Sequence, residues 1–514
     1  MLVLLLCVVP LVSGETYNVV LGTQQHVNLV DRRFLSFTVD PKYLFESEKY
    51  KTKECLCMAT SLAPAYLRIA GPSTNRLLSD RSRSRVLSVS NRQYDRFVKW
   101  ARNTGFRLVV AVGGAGWEKM VGRADVYWQL GYECTNQSIE EYLSDLESLR
   151  LLVESAGRGR VVGGDITPCL RARSDFKDYV TLANDRMDAI LLNGNSSSRE
   201  LERLSERDRI SLLRLLSQSS TPLWLTETDQ ESSGHQALSE LYRAADWMTS
   251  LGYSARNGFS VHYRELLEKE LYEPTLSFYM ALLFKNLVGE RVLSVDVDSP
   301  AAMFAHCTTL RHQRVAGAVT LYAANMDEEV ARFSVKMGDV EEGGDVLQFI
   351  LGHDYNGNIV VNGRPMYYEG DIKPVVRRIR PYKTLLLNLP SKSFGFWVLA
   401  NTKVEACQNV DDDEEKSQED KDMLHHIDKI IHKVKKITEM PVKIVAGAEN
   451  DDYYDEVMDG LILNTKISDD SAMVRIEDES HSGLLKNTLQ DIMGLLRDLN
   501  QQINRFWSAI TVLN

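Results

Sequence analysis

The sequence has no long hydrophobic run, no excess of basic residues and few cysteines, and each absence excludes a class of protein. The apolar run Leu2–Val12 has about 11 residues, and no other stretch approaches the ~20 that a membrane-spanning helix needs. The formal net charge of −11 argues against a nucleic-acid-binding protein, because such proteins present a net basic surface. With 44% hydrophobic and 25% charged residues, the chain is expected to be globular, with several domains.

The start of the chain is typical of a secretory signal peptide. The run Leu2–Val12 is followed by the small residues Ser13 and Gly14, which predicts cleavage before Glu15. We therefore expect residues 1–14 to be removed and the mature protein to be secreted, with any membrane association arising only through surface glycans.

Cysteine usage predicts a few structural disulfides and no metal site. Six cysteines remain after residue 14, namely Cys55, Cys57, Cys134, Cys169, Cys307 and Cys407. Cys55 and Cys57 have no matching second pair and no ligand-spaced histidine cluster, so we expect no zinc site. No glycine-rich fingerprint follows the first predicted strand, and we therefore expect no dinucleotide cofactor.

Residues 34–290 alternate short apolar runs with longer helical patterns, which is typical of parallel strands joined by helices. The eight predicted strands are Phe34–Asp40, Ala65–Gly71, Arg107–Gly114, Val126–Glu133, Arg160–Ile166, Met187–Asn193, Pro222–Thr228 and Gly258–Arg264. The predicted helices are Gln93–Thr104, Ile139–Glu154, Arg199–Ser217, Ala237–Leu251 and Leu276–Val288. Eight strands at this length predict an α/β protein with a (β/α)8 barrel, and a doubly wound sheet is less favoured without the glycine fingerprint.

Residues 291–407 change character and predict an antiparallel β-domain packed on the barrel. Short runs such as Ala318–Tyr322, Val346–Ile350 and Thr384–Leu389 alternate apolar and polar positions, with Gly and Asn between them. The N-terminal segment, residues 15–33, contains the runs Tyr17–Val20 and Val27–Leu29, which could add a strand to this domain.

Residues 408–514 form an acidic extension. They carry 23 acidic and 12 basic side chains, whereas residues 1–407 carry 48 of each. The run Asp411–Glu415 predicts a solvated linker. Beyond it, Leu485–Leu513 contains a seam of nine apolar residues with alternating gaps of four and three, and Met423–Ile437 contains a shorter seam. Two alternatives remain open: amphipathic helices docked on the body, or a coiled coil that makes a homo-oligomer.

Two glutamates lie at the predicted carboxyl ends of barrel strands, where side chains face the active-site mouth of such barrels. Glu133 closes the fourth predicted strand, and Glu227 lies near the end of the seventh. Paired carboxylates suit glycoside hydrolysis, and a separation of about 5–5.5 Å would give retention of configuration. The alternative is that each glutamate caps a helix or pairs with an arginine.

Five ordered motifs resemble the heparanase family, over roughly residues 15–407. They are FLSFTVD at Phe34–Asp40, LAPAYLRIAG at Leu62–Gly71, the run Trp128–Glu133, the run Trp224–Thr228 and ALLFKNLVG at Ala281–Gly289. The resemblance implies a retaining endo-β-glucuronidase of the extracellular space or the lysosome that acts on heparan sulfate, with Glu133 as acid/base and Glu227 as nucleophile. It also implies a disulfide between Cys307 and Cys407.

Further residues are expected to bind the glycan. Arg81, Arg83 and Arg85 lie in the loop after the second predicted strand, where the family carries a heparin-binding basic cluster, although a solvated loop is the plainer alternative. Asp40 and Arg264 end the first and eighth predicted strands, and we expect them to contact substrate at the mouth.

The sequence also departs from the family beside the proposed acid. The family has Asn before its acid and Pro after it, whereas Tyr132 and Cys134 flank Glu133 here. That Asn ordinarily holds the sugar 2-hydroxyl, a contact that strengthens in the transition state. The departures favour an alternative function, a catalytically impaired protein that binds glycans or a protein partner. A third alternative, an oligomeric structural protein, depends on the heptad seams.

Modification sites are predicted near the mouth. Asn136 and Asn195 begin N-glycosylation sequons, the first three residues past Glu133 and the second after the sixth predicted strand. A glycan on Asn136 would crowd the mouth. Cys134 and Cys169 follow the ends of adjacent predicted strands, so they are either bridged or two buried thiols.

Overall fold

The computed structural model describes residues 16–74, 89–113, 121, 124–134, 137–166, 179, 181, 186–193, 221–227, 240–298, 302–310, 313–336, 344–366, 374–379, 385–400 and 402–408. Several predicted features lie outside these residues: the signal peptide, the helix Arg199–Ser217, the cluster Arg81, Arg83 and Arg85, the sequon residues Asn136 and Asn195, Cys169, and the acidic extension with both heptad seams.

Eight parallel strands form a closed barrel, in which each strand pairs with the next along the chain and the last pairs with the first. The strands are β2 (Leu35–Val39), β3 (Ala65–Ile69), β4 (Phe106–Val112), β5 (Tyr127–Leu130), β6 (Arg160–Gly163), β7 (Ala189–Asn193), β8 (Leu223–Glu227) and β9 (Val261–Leu266). The predicted (β/α)8 barrel is therefore confirmed.

Helices surround the described part of the barrel: α1 (Pro41–Phe45), α2 (Lys53–Leu62), α3 (Asn91–Thr104), α4 (Ile139–Ala156), α5 (Glu240–Arg256) and α6 (Leu276–Leu287). Capping explains where two of them begin. In α3 the hydroxyl of Ser90 accepts from the backbone of Gln93, and α4 begins in the same way at Ser138 and Glu141. The helix α3 therefore starts two residues before its predicted start, at Asn91.

Aromatic side chains fill the middle of the barrel. Tyr66, Tyr127, Trp224 and Tyr263 are buried, and Trp224 lies with its ring centroid 4.9, 5.3 and 5.7 Å from those of the three tyrosines. The barrel interior is therefore a packed core and not a pore, so ligands can reach only its ends.

The fourth barrel strand is shorter than predicted. β5 ends at Leu130, and Gly131 then adopts a left-handed backbone conformation with φ of 68°, which turns the chain away from the ladder. Beyond this turn, Glu133 forms an isolated parallel bridge to Asp165, which follows β6. Glu133 therefore lies on a turn beyond the strand and not within it.

The remaining strands form one sheet. Its strands are β1 (Thr16–Leu29), β10 (Val288–Val297), β11 (Met303–Leu310), β12 (Gln313–Asn325), β13 (Ala331–Lys336), β14 (Gly344–His353), β15 (Ile359–Val361), β16 (Arg364–Pro365), β17 (Val375–Ile379), β18 (Leu385–Leu389) and β19 (Ser393–Leu399). Their order across the sheet is β16-β15-β14-β19-β12-β11-β10-β1-β13-β18, and β17 pairs with β14. The attached, largely antiparallel β-domain is confirmed. The two short N-terminal runs belong to one strand, β1, which pairs with β10 and, in parallel, with β13.

Disulfides tie both parts of the fold. The Sγ atoms of Cys307 and Cys407 are bonded at 1.99 Å, which joins β11 to the short 3-10 turn Glu405–Cys407. Cys134 is also disulfide-bonded, and because its partner lies outside the described residues, the pairing with Cys169 stays a prediction. Among the helices that the structure describes, none is long and apolar enough to cross a membrane.

Candidate active site

A layer of polar side chains lies directly above the aromatic core, at the carboxyl end of the barrel, which we call the mouth. Because side chains alternate along a strand, the residues two positions after Tyr66, Tyr127 and Trp224 also face inward. They are Arg68, Gln129 and Thr226, and all three are buried. The floor of the mouth is therefore polar, with a guanidinium at its centre.

Hydrogen bonds fix Arg68 in this layer. Its Nε donates to Oε1 of Gln129 at 2.7 Å, and its Nη1 donates to the hydroxyls of Thr226 at 3.1 Å and Thr38 at 3.4 Å. Its Nη2 donates to the carbonyl of Tyr132 at 3.4 Å. Burial lowers the pKa of Arg68, and Tyr132 heads the groups that oppose this shift. Arginine nevertheless stays protonated at neutral pH.

Gln129 connects this buried cation to the turn that carries Glu133. While its Oε1 accepts from Arg68, its Nε2 donates to the carbonyls of Gly131 at 2.7 Å and Tyr132 at 3.3 Å. The position of Glu133 therefore depends on a chain of hydrogen bonds that starts in the barrel floor.

A second set of contacts holds the Glu133 turn beside the end of β6. The Tyr142 hydroxyl of α4 donates to the Leu130 carbonyl at 3.3 Å and accepts from the Gly164 amide at 2.6 Å. The Cys134 amide donates to the Asp165 carbonyl at 2.6 Å. A side chain at residue 164 would begin 2.6 Å from the Leu130 carbonyl, so the close approach needs glycine.

Glu133 is exposed at the mouth, next to the buried Asp165. Neighbouring protein atoms exclude part of its water, and this partial burial, followed by repulsion from Asp165, raises the pKa of Glu133 above its usual value. A carboxyl group with a raised pKa in contact with solvent is suited to donate a proton and to take one back.

Glu227 is the last residue of β8, so its backbone lies at the same end of the barrel as Glu133. It pairs in register with Arg264 of β9, and it directly follows Thr226, whose hydroxyl accepts from Arg68. The structure therefore places the backbones of both glutamates at the mouth end of the barrel. The separation of their carboxyl groups stays a prediction.

Arg264 does not join this group. Tyr263 faces into the barrel, so the next residue faces outward, between the barrel wall and the helices. There the Arg264 Nη2 donates to Oε1 of Glu270 at 2.8 Å, and its guanidinium carbon lies 4.7 Å from the centre of the Trp247 ring. With both partners of this ion pair buried, the guanidinium is held away from the mouth.

Asp40 lies close to the mouth but serves the backbone. Its carboxylate caps α1 by accepting from the Lys42 amide at 2.9 Å, and it accepts from the amide of Ser73 at 3.2 Å and from the hydroxyl of the same serine. Only 2% of Asp40 is exposed, and a side chain at Gly71 would clash with it. Asp40 therefore positions the loop after β3 and has no surface open to substrate.

Sequence reasoning missed Arg68, Gln129 and Asp165. The signal that could have found Arg68 and Gln129 is a charged or amide residue two positions after an aromatic one within a short apolar strand, since that spacing places both on the inner face. No such signal marks Asp165, which follows Gly163 and Gly164. Among the described residues, no three His, Cys, Asp or Glu side chains lie where they could hold a metal ion.

Known proteins similar to this chain include glycosidases and an inactive relative. Hyaluronoglucuronidase of Hirudo nipponia is 25% identical over 330 residues, which cover 55% of this chain and 66% of that protein. Heparanase of Gallus gallus is 31% identical over 206 residues, covering 36% and 39%. Inactive heparanase-2 of Homo sapiens is 27% identical over 249 residues, covering 41% and 40%. The resemblance to the heparanase family is confirmed, although these matches span no more than two thirds of each relative. The chain matches no family model.

Solved structures show the fold at larger coverage. AbfB, a family 51 α-L-arabinofuranosidase from Bifidobacterium longum, superposes with a TM-score of 0.52 and 13% identity over 74% of this chain and 99% of its own. The GH51 α-L-arabinofuranosidase from Thermotoga petrophila gives 0.51 and 10% with the same coverage. At these identities the likeness extends to the fold alone: a barrel with an attached β-domain.

Proposed function

We propose that this protein is a secreted, retaining glycoside hydrolase that cleaves β-glucuronidic bonds in glycosaminoglycans of the heparan sulfate type. The observation that carries the proposal is the position of Glu133, whose pKa is raised at the barrel mouth, at the same end of the barrel as the strand end that carries Glu227. The heparanase resemblance supplies the substrate class.

In the proposed reaction, Glu227 attacks the anomeric carbon while Glu133 gives its proton to the leaving oxygen, and a covalent glycosyl-enzyme forms. Glu133, now a carboxylate, then takes a proton from water, whose oxygen attacks the same carbon and releases Glu227. The raised pKa of Glu133 supports the first half, since a larger fraction of the group is protonated before the attack.

Arg68 is the proposed counter-charge of the mouth. It is buried in the floor of the mouth, and Asp165 and Glu265 are near enough to affect its pKa. A fixed cation favours the ionised form of carboxylates around it, which is the form that a nucleophilic Glu227 needs. Arg68 thus acts through other groups and is a positioning residue.

Glycan binding beyond the mouth is proposed for Arg81, Arg83 and Arg85, because guanidinium groups match sulfate and carboxylate geometry. The extension 408–514 is proposed to bury its apolar seams either against the body or in a homo-oligomer.

The proposal is tested by incubating the purified protein and its Glu227→Gln variant with heparan sulfate and measuring chain length. We expect the parent alone to shorten the chains. Glu329→Gln, a change of the same kind at an exposed glutamate of the β-domain, is the matched control and should behave as the parent does. Intact chains with well-folded parent protein would contradict the proposal.

A second candidate function is glycan binding without turnover, and Tyr132 is the observation that favours it. The guanidinium carbon of Arg68 lies 5.6 Å from the centre of the Tyr132 ring, and the residue directly precedes Glu133. Burial raises the pKa of Tyr132, and the negative charge of Glu265 raises it further, so the hydroxyl stays neutral. A bulky phenol stands where the family holds the sugar with an amide. Retained heparan sulfate binding with no cleavage would favour this second function.

A further inference from the structure

A pocket at the opposite, amino-terminal end of the barrel takes no part in the proposed chemistry. It lies where the loop between β1 and β2 meets the end of α6 and strands β10 to β12 of the β-domain. The pocket encloses about 40 Å³, enough for roughly three water molecules. Its charged lining residues are Asp31, Arg32, Lys285, Glu290 and Arg314.

Lys285 lines this pocket and is the most buried of its charged residues. It is 6% exposed, and its ammonium group donates to the Pro64 carbonyl at 2.5 Å. An ammonium group has three donors, and within the described part of the chain no carboxylate forms an ion pair with this one. Burial lowers the pKa of Lys285 to about 7, and nearby Asp31 only partly opposes the shift. The amine is therefore buried with donor capacity to spare.

Two arginines at the rim share one carboxylate. The Nη2 of Arg314 donates to Oε2 of Glu290 at 3.1 Å, and the Nε of Arg32 lies 3.7 Å from Oε1 of the same residue. The Nη1 of Arg314 is buried and has no hydrogen-bond partner among the residues that the structure describes. Both arginines and Glu290 retain partial exposure, so the pocket opens to solvent on this side.

Asp31 supplies one of the two negative charges of the pocket, but its oxygens are engaged by other groups. Its Oδ1 accepts from the Arg33 amide at 2.6 Å and its Oδ2 from the Tyr66 hydroxyl at 3.5 Å, so the carboxylate is committed to its own loop and the barrel floor. With Lys285 protonated, the pocket has three cations against two carboxylates. Buried donors without acceptors are costly, which indicates that an acceptor is to be supplied from outside.

We propose that this pocket binds a sulfate-type oxyanion, with Lys285 at its base and Arg314 and Arg32 at its rim. An oxyanion offers several acceptors to converging donors and neutralises a buried cation, as charge-assisted hydrogen bonds require. The anion is either free in solution or the sulfo group of a glycan chain. The inference goes beyond the proposed hydrolase activity and does not depend on it.

Binding should strengthen as pH falls below 7, since Lys285 attracts the anion only when its amine is protonated. The other charged groups around it are Arg32, Arg33, Arg314, Asp31 and Glu290. Burial lowers the pKa of His306, whose Nδ1 contacts the Gly289 carbonyl of the pocket wall, to about 4. Lys285 therefore dominates the pH dependence.

The test is thermal unfolding of the full chain at pH 6.5, with sodium sulfate compared to sodium chloride at equal ionic strength. We expect a saturable rise in Tm of about 2–4 °C with sulfate, because a ligand that binds only the folded state stabilises it. Lys285→Met and Arg314→Gln should each abolish most of this rise, and Lys99→Met, at an exposed lysine, should keep it. Equal rises in the parent and both pocket variants would overturn the proposal.

Two further arms distinguish the source of the anion. A heparan sulfate oligosaccharide and its desulfated counterpart replace the inorganic salt. A Lys285-dependent rise with inorganic sulfate supports a free anion, and one with the sulfated oligosaccharide alone supports a glycan sulfo group. No Lys285-dependent rise in any arm would overturn the inference. Glu227→Gln should keep the rise, so failure of this proposal and failure of the proposed hydrolase activity are separate results.

Discussion

At the mouth of the barrel a buried cation is surrounded by acceptors, whereas at the opposite end a buried cation has one carbonyl acceptor within the described part of the chain. Arg68 donates to Gln129, Thr226, Thr38 and the Tyr132 carbonyl. Lys285 donates to the Pro64 carbonyl. The difference separates two kinds of buried cation. The protein itself supplies acceptors for the donors of Arg68, whereas Lys285 keeps donors that a bound anion could use.

The largest expected effect concerns Glu133, the proposed acid at the mouth. Glu133→Ala should lower kcat/KM on heparan sulfate by about 10²–10⁴-fold, because the natural leaving oxygen needs a proton. An aryl β-glucuronide with an acidic phenol leaves without that proton, so its release in the first turnover should be nearly unchanged. Single-turnover rates on both substrates measure the difference. Equal losses on the two substrates would show that Glu133 is not the acid.

The next effect tests whether Arg68 is a completed structural cation. Arg68→Met should lower the free energy of unfolding by about 3 kcal/mol, because it leaves the amide of Gln129 and the nearby acidic groups without their buried partner. Urea unfolding measures the change. Arg102→Met, at an exposed arginine of α3, is the control and should stay within about 0.5 kcal/mol of the parent. If the Arg68 variant is as stable as this control, the hydrogen bonds of Arg68 do not stabilise the fold, and Arg68 does not differ from Lys285 in this respect.

The comparison also shows what the sequence could and could not predict. Short apolar runs between helical patterns predict all eight barrel strands. These runs do not show which face of the barrel wall a residue at a strand end occupies. Arg68 and Arg264 are both buried, and only strand parity, set by the inward Tyr66 and Tyr263, separates the inner one from the outer one. The apolar run predicts Glu133 within a strand, because the effect of Gly131 on the backbone is not visible in such a run.

Lys285 could not be found from the sequence for a different reason. Helical periodicity predicts a polar face turned to solvent, and α6 has almost none: it is buried along nearly its whole length, Lys285 included. Its position depends on how the end of α6 packs against the start of β3 and the β-domain. Such contacts join residues far apart in the chain, so no local pattern records them.

A smaller effect concerns the residue that departs from the family beside the mouth. If the Tyr132 ring occupies the place of the sugar-binding amide, Tyr132→Asn should raise kcat/KM on heparan sulfate about tenfold, the size of one good hydrogen bond in the transition state. Tyr132→Phe keeps the ring over Arg68 and should give no gain. A gain in both variants, or in neither, would show that the Tyr132 ring is not what limits cleavage.

A last variant tests the incomplete cation at the other end. Without sulfate, Lys285→Met should leave the free energy of unfolding near that of the parent or raise it, since it removes a buried charge that has one acceptor. The folded-state pKa of Lys285 is lowered by burial to about 7, against ~10.4 when unfolded. Between these values the unfolded chain binds more protons, so this lysine makes the parent gain stability as pH rises. The methionine variant lacks that gain. Its advantage in urea unfolding should therefore be largest at pH 6.5 and shrink toward pH 10, whereas Lys99→Met should follow the parent at every pH. A constant difference across this range would mean that Lys285 is not an isolated buried cation in the folded protein.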